Sequence, residues 1–234
     1  MGYVDVNGNA IKIGNDTYLK GKKWVQIGDS LTDYSGSHAV NGTNDGFGDY
    51  IARKYECTFL NWGTAGASYS IRNTSEDENS GVRKCDRLVS ENIAPDYVTL
   101  ALGTNDRENG NSADTSADNT GLYGAVRYCI EKIKTAYPSC KLGVILPPMR
   151  GTANDTVDGN INTQQLERNN IIKSICELYS VPTCDMFHES NIVSAYLGDG
   201  LHLGTKTDNP VYMESMPLPT WLYKNKLESF LLSI

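Results

Sequence analysis

Five short apolar runs alternate along the chain with stretches of helical periodicity, and this alternation limits the fold more than any other feature. The runs are Lys23–Ile27, Cys57–Asn61, Tyr97–Leu102, Lys141–Leu146 and Pro182–Phe187. Between them, apolar residues recur at three- and four-residue spacing. Phe47, Tyr50, Ile51 and Tyr55 mark a short helix, and Val82, Cys85, Leu88 and Val89 mark one from Val82 to Asn92. Leu122, Val126, Ile130 and Ile133 mark a helix from Thr120 to Tyr137, which Pro138 ends. Leu166, Ile171, Ile175 and Leu178 mark another from Thr163 to Ser180, and Tyr223, Leu227, Phe230 and Leu231 form the stripe of a last one. Strands alternating with helices predict an α/β chain whose mainly parallel sheet is covered on both faces. Such sheets bind ligands beyond the carboxyl ends of their strands. Long polar loops follow the second, third and fourth runs, so they gather at that edge.

The length of 234 residues suits one such domain. Ahead of it, Val4 and Val6, then Ile11 and Ile13, alternate around Asn7-Gly8. Asn-Gly between such runs is a strong hairpin signal. The expected organisation is a β-hairpin appendage over residues 1–21 and a single α/β domain over residues 22–234, with no linker or internal repeat.

A net charge of −7 without a Lys/Arg cluster argues against nucleic acid as partner. No run of about 18 apolar residues is present, so no membrane span is expected. The first residues lack the basic and then apolar pattern of an export signal. That fits cytoplasmic synthesis, with a virion or an extracellular destination reached by another route kept open. The six cysteines show no C-x-x-C spacing, and several fall at core positions. They read as reduced, structural thiols, with a disulfide pair left open. Oligomeric state is not assigned.

The first apolar run breaks at Gly28 and presents Ser30 in Gly28-Asp29-Ser30-Leu31. A serine on a tight turn at a strand end stands clear of the sheet. Its hydroxyl is a weak nucleophile and requires a base, a group that orients the base, and donors for an oxyanion. Three histidines exist: His38, His188 and His202. His202 is the best base, because Asp199 lies three residues before it across Gly200 and can meet Nδ1 of its ring. His188 is a second candidate. Gly66 offers an unobstructed backbone N–H, Asn105 a side-chain NH₂ at the end of the third strand, and Ser30 its own N–H.

Gly28-Asp29-Ser30-Leu31, Asn61-Trp62-Gly63-Thr64-Ala65-Gly66, Gly103-Thr104-Asn105-Asp106 and Asp199-Gly200-Leu201-His202 resemble, in order, the four blocks of the SGNH (GDSL-type) hydrolase family. They span residues 28 to 202. The resemblance implies a flavodoxin-like three-layer α/β/α sandwich with a five-stranded sheet. It also implies a triad of Ser30, His202 and Asp199, and an oxyanion hole of Ser30, Gly66 and Asn105, working without metal or cofactor. Two departures stand out. Leu203 occupies a place where the family often has proline, and the N-terminal hairpin is additional.

The resemblance covers lipases, thioesterases, lysophospholipases and carbohydrate O-acetylesterases. Tyr34, Trp62 and Tyr69 stand close to the motifs among Asn, Asp and Ser, which suits sugar rings. Arg107 and Arg150 follow strands and suit an acidic sugar or carboxylate. No long apolar loop lines an acyl channel. The expected activity is hydrolysis of short-chain esters, acetyl groups on a glycan foremost. A lipid- or thioester-directed enzyme, a glycan-binding module of phage-tail type and an acyltransferase are the alternatives.

Overall fold

The computed structural model describes residues 3–4, 10–11, 18–33, 46–72, 78–150, 161–193, 196–197, 200–203, 212–213 and 216–234. Short strands β1 (Tyr3–Val4) and β2 (Ala10–Ile11) pair antiparallel. The Asn7-Gly8 turn between them lies outside the described residues. The main sheet contains β3 (Lys23–Gly28), β4 (Thr58–Gly63), β5 (Tyr97–Ala101), β6 (Lys141–Leu146) and β7 (Thr183–Asp185). Its order is β4-β3-β5-β6-β7, and every neighbouring pair is parallel. The chain starts at β3, steps outward to β4, then returns past β3 to β5. The carboxyl ends of β3 and β5 therefore form the topological switch point, where sheets of this kind bind ligands.

Helices α1 (Phe47–Tyr55), α2 (Gly81–Ser90), α3 (Leu122–Ala136), α4 (Ile161–Leu178) and α5 (Leu218–Leu231) cover the sheet. Strand side chains alternate between faces. Val25, Ile27, Val98, Leu100, Leu142 and Val144 pack with α2, α3 and α4. Trp24, Tyr97, Ala101, Ile145 and Cys184 pack with α1 and α5 on the other face. Both sets are buried, which is why the runs read as continuously apolar. Where the α1/α5 layer carries charge, the charges are paired: Glu228 of α5 takes hydrogen bonds from Lys54 and from Tyr55 Oη of α1, and from Lys224 of α5. All six cysteines are free thiols, four of them buried.

The elements depart from expectation at their ends. β4 continues past Asn61 to Gly63, because Ile27 and Gly28 extend the parallel ladder to Trp62 and Gly63. β7 is short because the Asp185 carboxylate turns forward and accepts the N–H groups of Phe187 and His188. α2 stops at Ser90, and Asn92, two residues on, takes a left-handed conformation (φ 51°). An antiparallel pair, β8 (Tyr212–Met213) and β9 (Met216–Pro217), precedes α5 and carried no sequence signal.

Candidate active site

Three strands finish level with one another: Gly28 is in register with Gly63 on one side and Ala101 on the other. The loops bearing Ser30, Gly66 and Asn105 thus leave the sheet together. After Gly28 the chain makes one tight turn, with Thr32 N–H and Asp33 N–H donating to Asp29 O at 3.0 and 2.9 Å. This turn folds back onto Gly28, where a Cβ would stand 2.0 Å from Thr32 Oγ1. Glycine is required there by space. The Asp29 carboxylate fixes the turn by accepting Leu31 N–H at 2.9 Å.

His202 comes to Ser30 from 172 positions away, with Nε2 at 2.9 Å from Ser30 Oγ. Its segment is held on both sides. Gly200 N–H donates to Leu197 O, and Leu197 and Leu203 form an antiparallel bridge with both side chains buried. The departure at Leu203 therefore has a structural use: it anchors the residue after the histidine. Asp199, the expected partner of the imidazole, lies outside the described residues, as do Tyr34 and His38. His188 does not approach Ser30. It follows β7, three strands from β3, where its Nδ1 meets Asp185 Oδ2 at 2.9 Å.

The donors for an oxyanion sit on two interlocked loops. Gly66 has φ +76° with open space where a Cβ would be, so backbone conformation selects glycine. Gly63 is selected by contact, since a Cβ would lie 2.3 Å from Asp33 N. Asn61 ties the loop to the serine turn: its Nδ2 donates to Thr32 O and its Oδ1 accepts Gly63 N–H, both at 2.9 Å. Asn105 Nδ2 donates to Ala67 O at 2.9 Å, which uses one amide hydrogen and leaves the other. Asp106 is fully buried and receives Tyr69 N–H, Ser70 N–H and Ser70 Oγ at 2.9, 3.0 and 2.8 Å. Asn61 and Asp106 stand in the motif blocks, where sequence alone assigns them no role. Their side chains hold the geometry that Gly66 and Asn105 require.

Two buried carboxylates underlie the site. Burial pushes Asp29 up to about 6, against the opposing effects of Leu31 N–H, the Thr104 hydroxyl and the charge of His202. Asp29 Oδ2 and Thr104 Oγ1 are both buried, and neither has a hydrogen-bond partner among the described residues. Burial also raises Asp106, despite its bonds to Ser70 and Tyr69.

The expected substrate contacts need correction. Tyr69 is fully buried in the core beneath α2 and α3, because Asp106 draws the backbone of Tyr69 and Ser70 inward. It offers no face to a sugar. Trp62 is half-buried against the same core, and the Arg87 guanidinium lies 4.9 Å from its ring centroid. Arg150 is also committed: its Nη1 donates to Thr104 O at 3.0 Å and its N–H to Asn162 Oδ1. It braces the loop ahead of Asn105. Arg107 is exposed and, with Ser70, Ile71, Arg72, Glu108 and Thr120, lines a cleft of about 600 Å³. Both sides of this cleft continue the oxyanion loops, and Arg72 donates to Gly66 O.

Solved structures share this architecture. A protein from Lactobacillus plantarum superposes with a TM-score of 0.70 at 19% identity, covering 92% of this chain and 99% of its own. A lipase/acylhydrolase from Enterococcus faecalis gives 0.59 at 17% identity over 91% and 96%. A carbohydrate acetylesterase from Sinorhizobium meliloti gives 0.54 at 17% identity over 89% and 99%. Nothing among curated protein sequences matches the chain. The model of the GDSL-like lipase/acylhydrolase family matches residues 27–207, which contain Ser30, Gly66, Asn105 and His202. The chain belongs to that family.

Proposed function

We propose that this acylhydrolase is a serine esterase that removes short acyl groups, acetyl foremost, from a carbohydrate. The observation that carries the reading is the 2.9 Å contact between Ser30 Oγ and His202 Nε2, made where the Gly66 and Asn105 loops leave the sheet. In the first step His202 Nε2 takes the hydroxyl proton as Oγ bonds to the ester carbonyl carbon. Asp199 orients the imidazole and stabilises the imidazolium. The carbonyl oxygen becomes an oxyanion and receives Ser30 N–H, Gly66 N–H and the remaining Asn105 Nδ2 hydrogen. Collapse expels the sugar hydroxyl with the proton from His202. A water activated by the same imidazole then releases the acid and restores Ser30. Protein groups and water serve every step.

Two features support a glycan as the alcohol. The cleft beside the oxyanion loops has a mixed lining that includes Ile71, and its guanidinium, carboxylate and hydroxyl groups can hydrogen-bond a polyhydroxylated ring. The architecture is also shared with a carbohydrate acetylesterase. The test is initial rate on p-nitrophenyl esters of increasing chain length, followed by acetate release from acetylated oligosaccharides, with Ser30→Ala as control. We expect preference for acetate and a loss of at least ~10³-fold in the variant. Preference for long acyl chains would replace the glycan with a lipid or thioester. Undiminished activity of Ser30→Ala would remove the serine from the mechanism.

A further inference from the structure

We propose that Lys84, on α2, is a positioning residue that holds the serine turn and the oxyanion loop in their working relation. The inference rests on the hydrolase reading above and adds a residue to it. Lys84 is only 6% exposed. A buried ammonium is costly unless its protons are received. Lys84 Nζ donates to Trp62 O at 2.7 Å, to Thr64 Oγ1 at 2.9 Å and to Gly28 O at 3.3 Å.

These acceptors define the role. Gly28 O is the last carbonyl of β3, two residues before Ser30. Trp62 O belongs to the end of β4, and Thr64 lies two residues before Gly66. The parallel ladder between β3 and β4 stops at Gly28 and Gly63. Beyond that level the two loops diverge. The ammonium sits at the divergence. Thr64 N–H donates to the same Gly28 oxygen at 3.1 Å, so one carbonyl receives both the loop and the lysine.

The helix that delivers Lys84 is itself docked on the oxyanion loop. Gly81 N–H donates to Ser68 O at 2.8 Å and Val82 N–H to Tyr69 O at 3.2 Å. Ser80 caps α2 by accepting Arg83 N–H. The first turn of α2 therefore moves with residues 66–70, while Lys84 reaches back to β3. An oxyanion must meet the Ser30 and Gly66 N–H groups at once, and an error of about 1 Å in their spacing is costly to the rate. Lys84 fixes that spacing.

The experiment uses the full chain with p-nitrophenyl acetate, kcat being normalised to active sites titrated with a fluorophosphonate. Lys84→Met keeps the length and apolarity of the stem and removes the ammonium. The expected result is a fall in kcat per titrated site on the order of 10²-fold, with KM within ~3-fold of the wild-type value. Lys84→Arg restores part of the loss, since guanidinium donors reach some of the same oxygens. A purely structural role would lower the number of titratable sites and the melting temperature but not kcat per site. A kcat per site within 3-fold of wild type in Lys84→Met overturns the proposal. If Lys84→Met does not fold, Thr64→Val decides, because it deletes one acceptor and keeps the lysine. An unchanged kcat then overturns the proposal, and a fall of roughly 3- to 10-fold at constant KM supports it. Wild-type chain lacking Ser30-dependent hydrolysis would instead overturn the esterase reading, so the two failures are distinct.

Discussion

Asp29 sits beside the nucleophile and is ionised against its surroundings at neutral pH, so replacing it by Asn stabilises the fold and slows the reaction. Burial raises this carboxyl from 3.8 to about 6. That rise corresponds to about 3 kcal/mol between folded and unfolded chains. Because the folded state holds the proton more tightly, the contribution is fully present below pH ~3.8 and is lost as pH rises through about 6. Above that, the fold carries a buried charge whose Oδ2 has no hydrogen-bond partner among the described residues. In Asp29→Asn, Oδ1 still accepts Leu31 N–H, and a neutral amide nitrogen replaces the buried, unpartnered Oδ2. Repulsion from Asp106 also disappears. The expected gain is about 1–3 kcal/mol at pH 8, or several degrees in melting temperature for a domain of this size, shrinking toward zero at pH 4. The cost falls on catalysis. Asp29 and His202 attract when both are charged, so the carboxylate favours the imidazolium that forms as Ser30 attacks, and kcat should fall. Calorimetric melts of both proteins from pH 4 to 8, with p-nitrophenyl acetate rates at each pH, test the reasoning. Stability curves that run parallel across this range would refute it, as would an Asn variant less stable than wild type at pH 8.

The two glycines of the oxyanion loop should respond differently to alanine. Gly66→Ala introduces left-handed strain of about 1 kcal/mol without a clash, whereas Gly63→Ala forces a Cβ to within 2.3 Å of Asp33 N and 2.5 Å of Thr32 C. The second must displace the main chain of the serine turn, so melting temperature and kcat drop more in Gly63→Ala, with kcat down by at least ~10-fold; equal effects would contradict the close-approach argument. Tyr69→Phe removes a buried hydroxyl that has no partner among the described residues. Its melting temperature should hold or rise by the equivalent of up to ~1 kcal/mol, with turnover of an acetylated sugar unchanged. A loss of turnover beyond ~3-fold would return Tyr69 to the substrate side.

His202 was legible because Asp199 precedes it by three residues, and Ser30, Gly66 and Asn105 because each follows the end of an apolar strand among Gly, Asn, Asp or Ser. That pattern fixed the strands, and parallel register then required Ser30, Gly66 and Asn105 to share one edge. What surrounds them was misread for a specific reason: local polarity does not report depth. Tyr69 lies between Ser68 and Ser70, a sequence that reads as exposed loop, yet the Asp106 carboxylate receives the backbone there and pulls the segment under α2. An apolar run that ends at Asn61 leaves Trp62 outside the strand. Once β4 runs to Gly63, strand alternation puts Trp62 on the same face as Leu60, toward α2. Lys84 shows the opposite failing. Gly81, Lys84, Cys85 and Leu88 share the i, i+3, i+4, i+7 spacing of one helix face, and all four are buried. A lysine in an apolar stripe reads as an interruption of the pattern when only hydrophobic residues are counted. It is better read as a question about where three protons go. In this fold they go to the edge of the sheet where the nucleophile and the oxyanion donors part company, to Trp62 O, Thr64 Oγ1 and Gly28 O.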